Sequence, residues 1–136
     1  MNHEGHKGHE ERGERAEIVA SAAIDAGLKV HKALGPGLLE SAYEHCLAYE
    51  LLERGMSVER QLLLPITYGL ITLDAGYRLD LVIDHVVIIE IKAVDAVSAL
   101  HQAQLMTYLK LSGIHLGLLM NFNVLLFKQG LKRMIN

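Results

Sequence analysis

The sequence predicts an α/β (α+β) domain: a mixed central β-sheet flanked by helices, in the order ααβββαββ. Three observations lead there. Residues 14–54 carry apolar positions at helical spacing around a Gly-Pro-Gly break. Residues 58–92 switch to runs rich in Leu, Ile and Val, punctuated by Gly and Asp. A second helical stretch at 97–113 then precedes two further apolar runs around an Asn-Phe-Asn turn. Helices that alternate with strands in this way pack on the faces of one sheet.

The segment "MNHEGHKGHEERGER" has almost no apolar residue before Ala16. Residues 1–13 therefore read as a mobile polar tail, and 14–136 as a single domain. His3, His6 and His9 recur every three residues in the tail. They read either as solvated polar positions or as weak imidazole ligands for a transition metal. The first helix is expected over Glu14–Leu34, with Ile18, Ala22, Leu28 and Val30 on its apolar side. Gly35 can end it and Pro36 cannot continue it. Gly37 permits the chain to turn into a second helix, expected from about Leu38 to Arg54. Leu39, Ala42, Tyr43, Leu47 and Leu51 form its stripe, and Gly55 stops it. Tyr43 reads as a packing residue whose hydroxyl finds a partner.

"VERQLLLPITYG", 58–69, reads as a strand, with Pro65 marking an edge or a bulge. "GYRLDLVID" and "VVIIEIK" read as a hairpin. The helix at 97–113 stops at Gly113. "IHLGLLMNF" and "VLLFKQ" supply the last two strands.

Length and composition bound the function. A chain of 136 residues, 51% apolar, buries a core without staples. Its single Cys46 cannot pair within the chain, which suggests a reducing compartment. No apolar run reaches the ~20 residues a membrane span needs, and the first residues lack an apolar signal core. A soluble cytoplasmic protein with no membrane partner is the expectation. The net charge of −3 argues against a surface coated in cations for non-specific nucleic-acid binding.

The hairpin carries the chemistry. One face of it reads Arg78, Asp80, Val82, Asp84, then Val86, Ile88, Glu90, Lys92. A solvated face has no use for Val86 and Ile88. A covered face with a polar site at one end does. Directly opposed residues of an antiparallel pair share a face. Asp80 therefore meets Glu90 only if the hairpin is centred on His85, which takes an odd loop such as Asp84–His85–Val86 or a bulge; the odd register is expected. Two carboxylates about 4 Å apart repel by about 4 kcal/mol at an effective dielectric of 20. Either one takes up a proton or a cation sits between them. Mg²⁺ favours oxygen ligands and keeps several waters. Asp80, Glu90 and one backbone carbonyl, that of Ile91, would leave room for those waters. Lys92 shares the face of Glu90, where it can pair with a carboxylate or reach a metal-bound water or a phosphate.

Asp80 followed by a hairpin and "EIK", 90–92, resembles the signature of the PD-(D/E)XK nuclease superfamily. "GLLESAY", 37–43, resembles the GxxExxY pattern of one of its families through Gly37, Glu40 and Tyr43. "QLMTY", 104–108, is similar to the QxxxY element of several branches. With "YRLDLVI", "IEIKAV" and "GLLMNFNV", the likeness runs from about residue 16 to the C-terminus. It implies a restriction-endonuclease-like core and a Mg²⁺-dependent (or Mn²⁺-dependent) phosphodiesterase site. By that likeness Asp80, Glu90 and Ile91 hold the metal, and Glu40 adds a carboxylate. Lys92 orients or deprotonates the attacking water, while Gln104 and Tyr108, one turn apart, line the site.

Two functions follow. One is an enzyme that hydrolyses nucleic-acid phosphodiesters, DNA before RNA, through metal-activated water. The other is a non-catalytic nucleic-acid or protein interaction module on the same fold. A homodimer would enlarge the small binding surface, and two sites would suit cleavage of both strands.

Overall fold

The computed structural model describes residues 3–136, with side chains from Glu10 onward. Helix α1 spans His3–Leu34 and α2 spans Glu40–Glu53. Strands β1 (Val58–Tyr68), β2 (Ile71–Ile83) and β3 (Val87–Lys92) follow. Helix α3 (Ala99–Ser112) leads to β4 (Leu116–Asn121) and β5 (Leu131–Ile135). The five strands are ordered β1-β2-β3-β4-β5. All neighbours are antiparallel except β3 and β4, which are parallel and joined by α3. This is the α+β arrangement expected from the sequence.

Three expectations need correction. Helix α1 starts at His3 rather than at Glu14; Glu and Arg are good helix formers and need no burial to stay helical. The side chains of His3, His6 and His9 lie outside the described residues. The buried side of α1 is Val19, Ala20, Ala23, Ala26 and Val30, while Ile18 and Leu28 face solvent. The expected stripe was out of phase because it followed the large residues. The Ala-rich face instead lets the helix sit close to the sheet. The last strand is not "VLLFKQ" but residues 131–135. Phe127 turns inward in a 3₁₀ turn at Phe127–Gly130 and packs beside His31 and Phe122. Gly130 lies so close to β4 that an added Cβ would sit 2.0 Å from the Asn121 carbonyl oxygen.

Helices α1 and α2 cover one face of the sheet. Tyr43, Leu47 and Leu51 meet Leu81, Ile83, Ile89 and Ile91 there. Helix α3 covers the other face, with Leu105 and Leu109 on Val82, Ile88 and Leu119. The turn before α2 has Gly35 at φ 70° and Gly37 at φ 98°, as its abrupt reversal requires. Tyr43 ties that turn down. Its hydroxyl donates to the Gly35 carbonyl at 2.6 Å and accepts from the Leu38 N–H at 3.1 Å. Its ring stacks on Phe122 with centroids 4.5 Å apart. Pro65 marks a shift of register in the edge strand β1, where its missing N–H is tolerated. Among the described residues, no helix is long and apolar enough to cross a membrane.

Candidate active site

The β2–β3 hairpin is centred on His85. Leu81 pairs with Ile89, Val82 with Ile88 and Ile83 with Val87. The odd loop is Asp84–His85–Val86, with Asp84 and His85 at positive φ (49° and 59°). Asp and His are among the side chains that tolerate this region best. The register anticipated from the charges is the one observed, and it directs Asp80 and Glu90 toward each other.

The pairing then stops. Beyond Leu81, β2 leaves β3, and two β3-side N–H groups need other partners. Asp80 Oδ2 accepts from the Ile91 N–H at 2.9 Å. Glu40 Oε1 accepts from the Ala93 N–H at 3.3 Å. The two carboxylates thus take successive outward N–H groups along one strand edge. A residue's carbonyl points to the same edge as its N–H, so the Ile91 carbonyl lies on the Asp80 side.

The departure of β2 has a local cause. Gln61, opposite Asp80 in β1, has φ 52°, and the ladder runs from Arg60–Leu81 to Leu62–Leu79 without a Gln61–Asp80 pair. The strand changes face at this point. Leu81 packs under α1 and α2, whereas Leu79 packs under α3. The Gln61 amide donates both to Glu44 Oε1 and, at 3.4 Å, to Asp80 Oδ1. Glu44 is buried on α2, one turn after Glu40, and Arg60 neutralises it at 2.9 Å. Gln61, Glu44 and Arg60 were not among the sequence candidates. The signal available was the i, i+4 spacing of Glu40 and Glu44 on one helix face.

Glu90 is the most perturbed group. It is 3% exposed, and its Oε1 is buried without a hydrogen-bond partner. Its Oε2 lies 3.4 Å from the Asp80 N–H. Burial pushes its pKa up to about 10, the side-chain hydrogen bond and charge of Asp80 push the same way, and the Asp80 N–H and Lys92 oppose them in part. A carboxyl in this state needs a proton or a cation. Lys92 is half-buried, and no salt bridge joins it to either carboxylate among the described residues.

On α3, Tyr108 is half-buried and stacks on Tyr77 with centroids 5.4 Å apart. Its pKa is raised by burial first, then by the nearby charges of Glu90 and Asp80, with Arg78 opposing. Gln104 stands exposed one turn earlier on the same helix. His101 caps α3: its N–H donates to Ser98 Oγ and its Nδ1 accepts from the Ser98 N–H, each at 3.1 Å. That cap accounts for His101 without a role in the site.

Asp80 and Glu90 fit a hard divalent cation, since a buried carboxylate oxygen with no partner, beside a second carboxylate, is what such an ion binds. Among the described residues, no group of three or more His, Cys, Asp or Glu side chains is gathered as a metal centre. Glu40 stands on the same strand edge but outside such a cluster.

The chain matches the family model described as the PD-(D/E)XK nuclease superfamily over residues 17–134. Comparison with curated proteins and with solved structures gave no match. The matched span contains every site residue named above.

Proposed function

The chain belongs to the PD-(D/E)XK nuclease superfamily, and from that premise we infer that it hydrolyses nucleic-acid phosphodiesters, with DNA as substrate, using a divalent cation. We place it in the GxxExxY branch on Gly37, Glu40 and Tyr43. The observation that supports the reading is the partnerless, buried Glu90 Oε1 next to Asp80.

Asp80 and Glu90, with the Ile91 carbonyl, would hold Mg²⁺ or Mn²⁺, and Glu40 would contribute from the strand edge at Ala93. Bound there, the cation supplies Lewis acidity to the phosphoryl oxygen and acidity to its water. The remaining work belongs to the chain. Asp80 keeps its orientation through the Ile91 N–H and the Gln61 amide. Lys92 projects from the strand face of Glu90, where its ammonium orients the attacking water and offsets charge on the phosphate. Tyr108 and Gln104 offer a hydroxyl and an amide from one face of α3 to a phosphate oxygen.

The test is direct. Purified protein is mixed with Mg²⁺ or Mn²⁺ and a panel of single- and double-stranded DNA and RNA, alongside Lys92→Ala. Cleavage that requires the cation and is lost in Lys92→Ala supports the reading. Binding without cleavage, unchanged in Lys92→Ala, favours the interaction module instead.

A further inference from the structure

Strand β2 runs on past its last contact with β3, and β1 accompanies it as a two-stranded ribbon. Every residue from Thr67 to Ala75 is exposed. The ribbon is nevertheless apolar: between Gln61 and Tyr77 the only charged residue is Asp74.

The apolar residues are not scattered. Leu62, Leu64, Tyr77 and Leu79 pack against the α3-side core. Directly opposed residues share a face, and past the register shift at Pro65 the pairing resumes at Ile66–Leu73. The pairs Ile66–Leu73 and Tyr68–Ile71, two residues apart in each strand, therefore lie on one face of the ribbon. Tyr68 is 78% exposed, Leu70 at the tip 105%, Ile71 58% and Leu73 54%. Thr67 and Thr72 pair on the opposite face. An apolar face of the ribbon thus stands beyond the body of the protein, with no cover among the described residues.

We propose that this ribbon face is the contact between two copies of the chain, packed face to face about a twofold axis. Charge argues for this occupant. A nucleic acid would need cations, and the ribbon has none between Gln61 and Tyr77, Arg78 lying at its root. The chain's own α1 cannot cover it, because Arg15 of that helix holds Asp84 at the opposite end of β2. A second copy presents the same apolar surface, and an isologous contact needs only a surface that matches itself. Area agrees. Tyr68, Leu70, Ile71 and Leu73 are each more than half exposed on this one element, the kind of concentrated apolar area from which an interface of ~800 Å² per partner is built. Asp80 stands at the root of each ribbon, so the pairing would hold two carboxylate sites in one assembly.

Analytical ultracentrifugation of the full chain at about 1–100 µM tests this. The wild type should sediment as a dimer. Tyr68→Glu/Leu73→Glu places carboxylates on the proposed contact and should weaken dimerisation by a factor on the order of 100. Leu63→Glu, in the exposed alternation of β1, should leave the dimer intact. Far-ultraviolet circular dichroism checks that each variant is folded. A wild type that stays monomeric overturns the proposal, as does a dimer that survives the double substitution. Monomers that instead bind neutral phospholipid vesicles through the ribbon would overturn it in favour of a membrane surface.

Discussion

Replacing Glu90 by glutamine in the cation-free protein should stabilise it, and increasingly so as pH rises. The reason is proton linkage. In the unfolded chain the Glu90 carboxyl ionises near 4.5, whereas burial and Asp80 hold it protonated to about 10 in the fold. A group whose pKa is raised on folding gives its full contribution below the lower value and loses it as pH climbs toward the upper one. The loss is about 1.4 kcal/mol per pH unit for one proton. Between pH 4.5 and about pH 7 it amounts to about 3 kcal/mol, a large share of a small domain's 5–15 kcal/mol or so. Glutamine keeps the shape and can donate to Asp80 but has no proton to lose. Urea denaturation in EDTA at several values between about pH 5 and about pH 8 should show the variant gaining on the wild type at close to that slope. Added Mg²⁺ should narrow the gap, because the cation replaces the proton in the wild type and finds no charge on the substituted amide. Parallel pH profiles for the two proteins would falsify the linkage, and a variant less stable than wild type at neutral pH would show that the carboxyl has partners there.

Three further outcomes are expected. Gln61→Ala removes the amide that bridges Glu44 and Asp80; calorimetric titration with Mn²⁺ should show affinity weakened about tenfold, as for lost outer-shell partners, and an unchanged affinity would reduce Gln61 to a strand irregularity. Tyr43→Phe strips two hydrogen bonds from the Gly35–Leu38 turn and should cost about 1–3 kcal/mol in urea unfolding, without loss of cation affinity. Gly130→Ala drives a methyl to 2.0 Å from the Asn121 carbonyl oxygen. It should cost at least about 1–3 kcal/mol, and a neutral thermal midpoint would show that the β4–β5 connection yields easily.

Much of this protein was legible in its residues because the relevant signals are local. Helix α2 and its ends follow from the stripe Tyr43–Leu47–Leu51 and the flanking glycines. The hairpin register followed from charge alternation, because a shift of one residue would have sent Asp80 and Glu90 to opposite faces. The strand after β4 was misplaced for an equally physical reason. "VLLF" has strand-like composition, but Phe127 is drawn into the core beside Phe122, and that attraction is set by what α1 leaves uncovered. The same holds for α1, whose buried side was decided by how closely it packs rather than by which of its residues are largest.

Composition and spacing alone determined the order of helices and strands and the meeting of two carboxylates across a hairpin, since periodicity and register are properties of the chain itself. The bonding state of those carboxylates was decided only by the tertiary structure. It took the backbone reversal at Gln61, the parting of β2 from β3 and the cover of α3 to leave Glu90 dry and Asp80 tied to the Ile91 N–H. Desolvation and hydrogen bonding depend on what surrounds a group in space, and neighbours brought from distant parts of the chain are not written into the stretch that bears it.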